Sequence, residues 1–160
     1  MSRSWPWFAG AAAIVAADQL TKAMVLARFA PGERLEVTGF LNLVLAFNKG
    51  AAFSFLAGAQ GWQTLFFAAI AVVAAAVISF LIYKHEKKAL FCCALALILG
   101  GALGNLYDRI VYGHVVDFLD FHALGWHWPA FNVADSAITV GAGILIVESF
   151  LQKHSNETPV

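Results

Sequence analysis

The sequence predicts a membrane protein that is all-α with a small β part: four transmembrane helices carrying a small extracytoplasmic β-sheet cradle. Three observations point there. Of 160 residues, 61% are hydrophobic and 12% charged, with a mean hydropathy of +0.74, whereas soluble domains are about 45–50% apolar and about 25% charged. Four apolar stretches are each long enough to cross a bilayer, which takes about 20 residues. Between the first two lies a strand-like run bounded by turn signals. A soluble globule of this size has too little interior for so much apolar surface, and a formal net charge of +0 offers no basic excess for a nucleic acid.

The first span covers about residues 5–29 and contains Asp18, Gln19 and Lys22. Val15-Ala16-Ala17 has the small-residue character of a signal-peptide cleavage site. The apolar character resumes at Ala23 and completes a span, so we read a retained helix. The second span, about 62–83, carries no charge from Leu65 onward. The third, about 89–110, is apolar to Leu103 and then turns polar at Asn105, Asp108 and Arg109. The fourth, about 131–151, carries Asn132 and Asp135 near its start. Residues 1–160 read as one integral membrane domain. The adjacent thiols Cys92 and Cys93 sit inside an apolar run, without metal-ligand spacing, and read as buried and inert.

The short loop Lys84-His85-Glu86-Lys87-Lys88 is the most basic connection, and the positive-inside rule places it in the cytoplasm. Both termini then also lie inside, and segments of about 30–61 and 110–130 lie outside. Pro31-Gly32 stops a helix. Leu35, Val37, Phe40, Leu41, Leu43, Leu45 and Phe47 form a β-like run, with Asn48-Lys49-Gly50 as the turn and 51–55 as the returning strand. Val115 to Leu119 reads as another strand. Trp126, Trp128 and Phe131 fit the headgroup level, where aromatic belts lie.

A charge near the centre of a spanning helix costs about 2.5–3.5 kcal/mol on insertion scales, so such residues are usually functional. Here they gather at one depth, towards the outer surface: Asp18 and Lys22 on helix 1, Asn105, Asp108 and Arg109 on helix 3, Asn132 and Asp135 on helix 4, and Asp117 in the outer loop. Asn105, Asp108 and Arg109 share a helix face by their i, i+3, i+4 spacing, as do Asn132, Asp135, Ser136 and Thr139, while Asp18 and Lys22 are placed to pair.

The polar set restricts the chemistry. No serine or cysteine has a plausible base, the outer histidines lack a zinc-protease pattern, and no phosphate or dinucleotide loop is present. Carboxylates remain. Two that lie close together cannot both ionise, so one acts as base on a water and the other as acid towards a scissile carbonyl. Asp117 and Asp135 qualify as such a dyad, and spacing alone leaves Asp108 and Asp120 as rivals. The alternative class is a small ion- or proton-coupled transporter subunit, since intramembrane carboxylates also relay ions. Against it, the acids cluster on one side instead of crossing the bilayer. A structural membrane anchor is a third reading, but it has no need of so many polar groups at one level.

Five blocks, in order, resemble the lipoprotein signal peptidase (signal peptidase II) family of bacterial inner-membrane aspartic proteases. They are Asp18-Gln19-Leu20-Thr21-Lys22, Asn48-Lys49-Gly50-Ala51-Ala52-Phe53, Gly100 to Arg109, Gly113-His114-Val115-Val116-Asp117-Phe118, and Phe131-Asn132-Val133-Ala134-Asp135-Ser136-Ala137-Ile138. The resemblance implies that Asp117 and Asp135 are the catalytic dyad. It implies that Asn48, Asn105, Arg109 and Asn132 line the site, binding substrate or ordering the dyad, and that Asp18 gives structural support. The implied substrate is a diacylglyceryl-modified prolipoprotein cut just before its lipidated cysteine. The resemblance calls for no metal or cofactor and no nucleic-acid partner. It suggests a chain working as a monomer among membrane lipids, in the bacterial inner membrane, with its site near the outer face. Gly100, Gly101 and Gly104 would thin helix 3, either for the substrate's signal helix or for plain helix packing.

Overall fold

The computed structural model describes residues 4–50 and 62–157, with side chains as far as Leu151. Among the described residues, four helices are long and apolar enough to cross a membrane: α1 (Trp5–Leu26), α2 (Trp62–Lys84), α3 (Ala89–Tyr112) and α4 (Val133–Glu157). Four strands, β1 (Arg34–Thr38), β2 (Leu41–Asn48), β3 (Val115–Ala123) and β4 (Trp126–His127), form one antiparallel sheet in the order β1-β2-β3-β4.

α3 is the central helix, packed by α1, α2 and α4. Glycine lets it come close. A Cβ on Gly101 would collide with the Ala134 carbonyl of α4, and one on Gly104 would sit 2.7 Å from Asp18 Oδ2. Of the two readings of these glycines, plain helix packing is the one seen: Gly100 faces Ala11 and Ile14, and Gly101 and Gly104 face Ala134 and Asp18.

The connection from α3 to the sheet is abrupt. Gly113 takes a left-handed φ of 74° and caps α3, donating its N–H to the Arg109 carbonyl, a conformation that costs glycine nothing. β3 can then start at Val115, folded back beside the end of its own helix. β3 and β4 close through Leu124 and Gly125, both at positive φ (52° and 82°), as a two-residue primed hairpin turn requires.

The strand reading of 35–47 needs a correction. The run is two antiparallel strands, with Leu35 opposite Leu43 and Thr38 opposite Leu41, so a hairpin turn falls inside it, at Gly39-Phe40. Glycine weakens a strand interior and leaves the chain free to reverse. At Asn48 the chain still bends, with Gly50 N–H donating to Asn48 Oδ1 at 2.8 Å; the returning strand expected at 51–55 lies outside the described residues. The strand expected at Val115–Leu119 extends to Ala123. Cys93, expected to be buried, is exposed, while Cys92 is buried.

Two apolar clusters bracket the polar layer. One joins Ala11, Ile78, Ile82, Leu95 and Leu99 of the three packed helices. The other joins Val25 at the end of α1 to Leu45, Val116 and Phe118 of the sheet. Along α1 and α3 the buried polar residues Asp18, Lys22, Asn105 and Asp108 fall between them. Trp7 Nε1 reaches the Glu86 carbonyl at 3.4 Å, so the start of α1 and the basic loop lie at the same end, opposite the sheet.

Candidate active site

Asn132 joins the sheet to α4. Its Oδ1 accepts the Asp135 N–H at 2.9 Å, and Asp135 Oδ2 accepts the Asn132 N–H at 3.3 Å. This is a reciprocal capping box, in which the carboxylate also complements the positive end of the helix. The Asn132 amide points the other way, with Nδ2 2.7 Å from Asp117 Oδ1 and 3.2 Å from the Val116 carbonyl. One side chain thus touches both Asp117, on β3, and Asp135, in the first turn of α4. Asn105 Nδ2 donates to Asp135 Oδ1 at 2.8 Å. Asn48 hydrogen-bonds Asp117 from β2, where the ladder places Ala46 opposite Asp117 and Asn48 opposite Val115.

Asp117 is 2% exposed. Burial, and after it the charge of Asp135, push its carboxyl up from 3.8 to about 7, against the hydrogen bonds from Asn48 and Asn132 and the Lys22 charge. Asp120 moves the opposite way. Burial would raise its carboxyl, but hydrogen bonds from Asn42 and His127, with the positive charges of His127 and Arg34, bring it below the ordinary value.

The structure separates the four aspartates Asp108, Asp117, Asp120 and Asp135. Asp108 is fully buried and occupied, 2.8 Å from Lys22 Nζ and accepting from Gln19 Nε2 and the Val116 N–H. Asp120 takes the Asn42 amide at 2.8 Å, His127 at 2.8 Å and Arg34 at 3.7 Å. Among the described residues, no ion pair reaches Asp117 or Asp135 within 4.0 Å. Asp135 also faces a cavity of about 400 Å³, lined by Trp128, Phe131, Ser136, Thr139 and Val140.

Among the described residues Arg109 forms no ion pair with its neighbour Asp108 within 4.0 Å. It donates to the Asn105 carbonyl at 3.1 Å and stacks over the Phe67 ring at 5.5 Å. Asp18 pairs with Lys22 at 2.8 Å, as the spacing predicts. Sequence reasoning missed Gln19, whose amide bridges Asp18 and Asp108, and gave Lys22 no role beyond its pair. Their place beside Asp18, inside an otherwise apolar span, is the signal that marks them.

A polytopic membrane protein with buried carboxylates beside a small antiparallel sheet at one end of its helices is the class these features define, and solved structures of that kind exist. Two bacterial membrane enzymes determined by the in meso method, at 2.3 and 1.9 Å resolution, match with TM-scores of 0.83 and 0.80, each at 32% identity. The first match covers 97% of this chain and 93% of that structure, the second 89% and 91%. A family model described as Signal peptidase (SPase) II matches residues 10–151, and the chain belongs to that family of membrane proteases. Lipoprotein signal peptidases of Ralstonia nicotianae and Paraburkholderia phytofirmans are each 59% identical over 143 residues, which is 89% of this chain and 83% of each relative. The transporter alternative falls with this finding.

Proposed function

We propose that the chain is an aspartic endopeptidase that removes the signal peptide from diacylglyceryl-modified prolipoproteins, cutting before the lipidated cysteine. One observation carries the dyad: Asn132 binds Asp117 and caps Asp135 at once, and of the four outer aspartates these two have no cationic partner among the described residues. A carboxyl raised to about 7 holds a proton near neutral pH. The pair then shares one proton. The ionised partner takes a proton from a water, whose oxygen adds to the scissile carbonyl. The protonated partner gives its proton to the carbonyl oxygen. As the tetrahedral intermediate collapses, the carboxyl that took the water's proton gives it to the leaving nitrogen and a hydroxyl of the intermediate returns its proton to the other, so the pair again shares one.

Asn48, Asn105 and Asn132 orient the dyad, Arg109 contacts substrate, and Asp18 supports the frame. A cysteine carrying a lipid anchor holds its peptide bond at the bilayer boundary, which suits a polar layer just beneath the outer sheet. The reading places one domain of residues 1–160, acting as a monomer, in the bacterial inner membrane. Both termini are cytoplasmic and the site is near the outer face. The mechanism calls on no metal or cofactor.

The test is cleavage of a diacylglyceryl-modified prolipoprotein by the purified protein in detergent with a chelator present. We expect signal-peptide release with the chelator, and none from the unmodified precursor. Cleavage abolished by the chelator, or equal on both precursors, would overturn the reading.

A further inference from the structure

Lys22 is 1% exposed and sits between two carboxylates that are fully buried, 2.8 Å from Asp18 Oδ2 and 2.8 Å from Asp108 Oδ2. One ammonium between two carboxylates leaves a net negative charge. Mutual neutralisation therefore does not explain the group, because Lys22 needs one counter-ion and a second buried carboxylate is costly.

The other bonds of those carboxylates supply the reason. Asp108 Oδ2 accepts the main-chain N–H of Val116 at 3.0 Å, and Asp18 Oδ1 accepts that of Ala134 at 2.9 Å. Val116 is the residue before Asp117, and Ala134 is the residue before Asp135. Each carboxylate of the triad grips the chain one residue ahead of one member of the dyad, and Lys22 ties the two grips together. The third bond of Lys22 goes to Asn105 Oδ1 at 3.1 Å. An ammonium only donates, so together with Asn132 Nδ2, which reaches the same oxygen at 3.2 Å, it holds the amide oxygen in place and turns Asn105 Nδ2 to Asp135.

We infer that Lys22 is a positioning residue for the dyad: through Asp108 and Asp18 it fixes the backbone ahead of Asp117 and Asp135, and through Asn105 it aims an amide N–H at Asp135. The inference rests on the dyad reading above. Two carboxylates that share a proton and a water need a fixed separation, and a misplacement of about 1 Å costs about 100-fold in rate. Lys22 touches neither member of the dyad, so its effect falls on turnover and not on substrate affinity.

The experiment is steady-state cleavage by the full chain in detergent across a pH series. For Lys22→Met we expect kcat to fall about 100-fold while KM stays within about 3-fold. The charged groups facing Asp117 are Asp135 from α4, Lys22 from α1 and Arg109 from α3. Without the ammonium the pH optimum should therefore rise by about half to one unit. The Lys22→Met/Asp108→Asn variant restores the net charge of the triad and keeps an oxygen for the Val116 N–H, which covers the case in which the single variant does not fold. Its pH optimum should return towards wild type while kcat stays at least about tenfold low, because Asn105 has lost one of the two donors that fix its oxygen. Wild-type kcat in either folded variant, or a loss confined to KM, overturns the positioning role. Asp117→Asn run in parallel separates the two ideas. Normal cleavage there overturns the dyad itself, and loss there beside normal turnover in Lys22→Met overturns only the role of Lys22.

Discussion

Asn132 holds Asp117 by a 2.7 Å hydrogen bond from Nδ2 to Oδ1, and the same side chain's oxygen caps the helix that carries Asp135. The cap and the link to Asp117 are separable. Serine at this position retains a capping oxygen but has no amide to reach Asp117. Asn132→Ser and Asn132→Ala should therefore lose cleavage to a similar degree, about 100-fold. Asn132→Ala should be the less stable by about 1 kcal/mol, the usual worth of a cap. Thermal unfolding and single-turnover cleavage on the two variants check this. Equal stability of the two would mean that the cap contributes nothing.

The dyad makes a non-additive prediction. Asp117→Asn and Asp135→Asn each keep the shape and lose the proton chemistry, so each should nearly abolish cleavage in a folded, inserted protein. The double variant should be hardly worse than either single one, because residues acting as a unit are lost together. Asp120→Asn should keep substantial activity, since its carboxylate serves Asn42, His127 and Arg34 on the sheet. Near wild-type turnover without Asp117 or Asp135 would end the mechanism.

Stability should carry the signature of Asp117. Its carboxyl lies at about 7 in the folded protein and 3.8 ordinarily, so between those values the folded state binds more protons than the unfolded one. The contribution is complete below the lower value and is lost as pH rises, at up to about 1.4 kcal/mol per pH unit, until the group has ionised. Asp117→Asn removes that slope. Its Tm relative to wild type should therefore improve between pH 5 and pH 8, and parallel Tm curves would refute the assignment. The rate should fall on both sides of an optimum, since activity needs one proton on the pair.

Topology has a labelling test. With Cys92 and Cys93 replaced by serine, a cysteine at Leu124, the fully exposed tip of the β3–β4 turn, should react with an impermeant maleimide in intact spheroplasts. A cysteine at Lys87 should react only after permeabilisation. The reverse pattern would put the sheet in the cytoplasm. The serine background itself should stay active, because Cys92 bonds the His85 carbonyl at the opposite end of α3 from Asn105.

The sequence by itself determined the class and most of the cast. Composition and span length set four membrane helices, because apolar runs of that length have no other place to go. Charge is so costly in a bilayer that each polar residue inside a span was already conspicuous. That reasoning found Asp18, Asn105, Asp108, Arg109, Asn132 and Asp135, with Asp117 added from the outer loop. Family resemblance, not spacing, chose Asp117 and Asp135 over Asp108 and Asp120. Tertiary structure shows which of the four carboxylates are engaged by cations: Asp108 and Asp120. Whether a carboxylate is free or engaged depends on groups far away in sequence: Lys22 and Gln19 of α1 meet Asp108 of α3, and Asn42 of β2 meets Asp120 of β3. No periodicity encodes those meetings. The β1–β2 turn at Gly39 was hidden for the same reason, as was the choice between the two readings of Gly101 and Gly104. A turn is fixed by which strands pair, and a glycine by which backbone passes beside it, and both are set only when helices and sheet have packed.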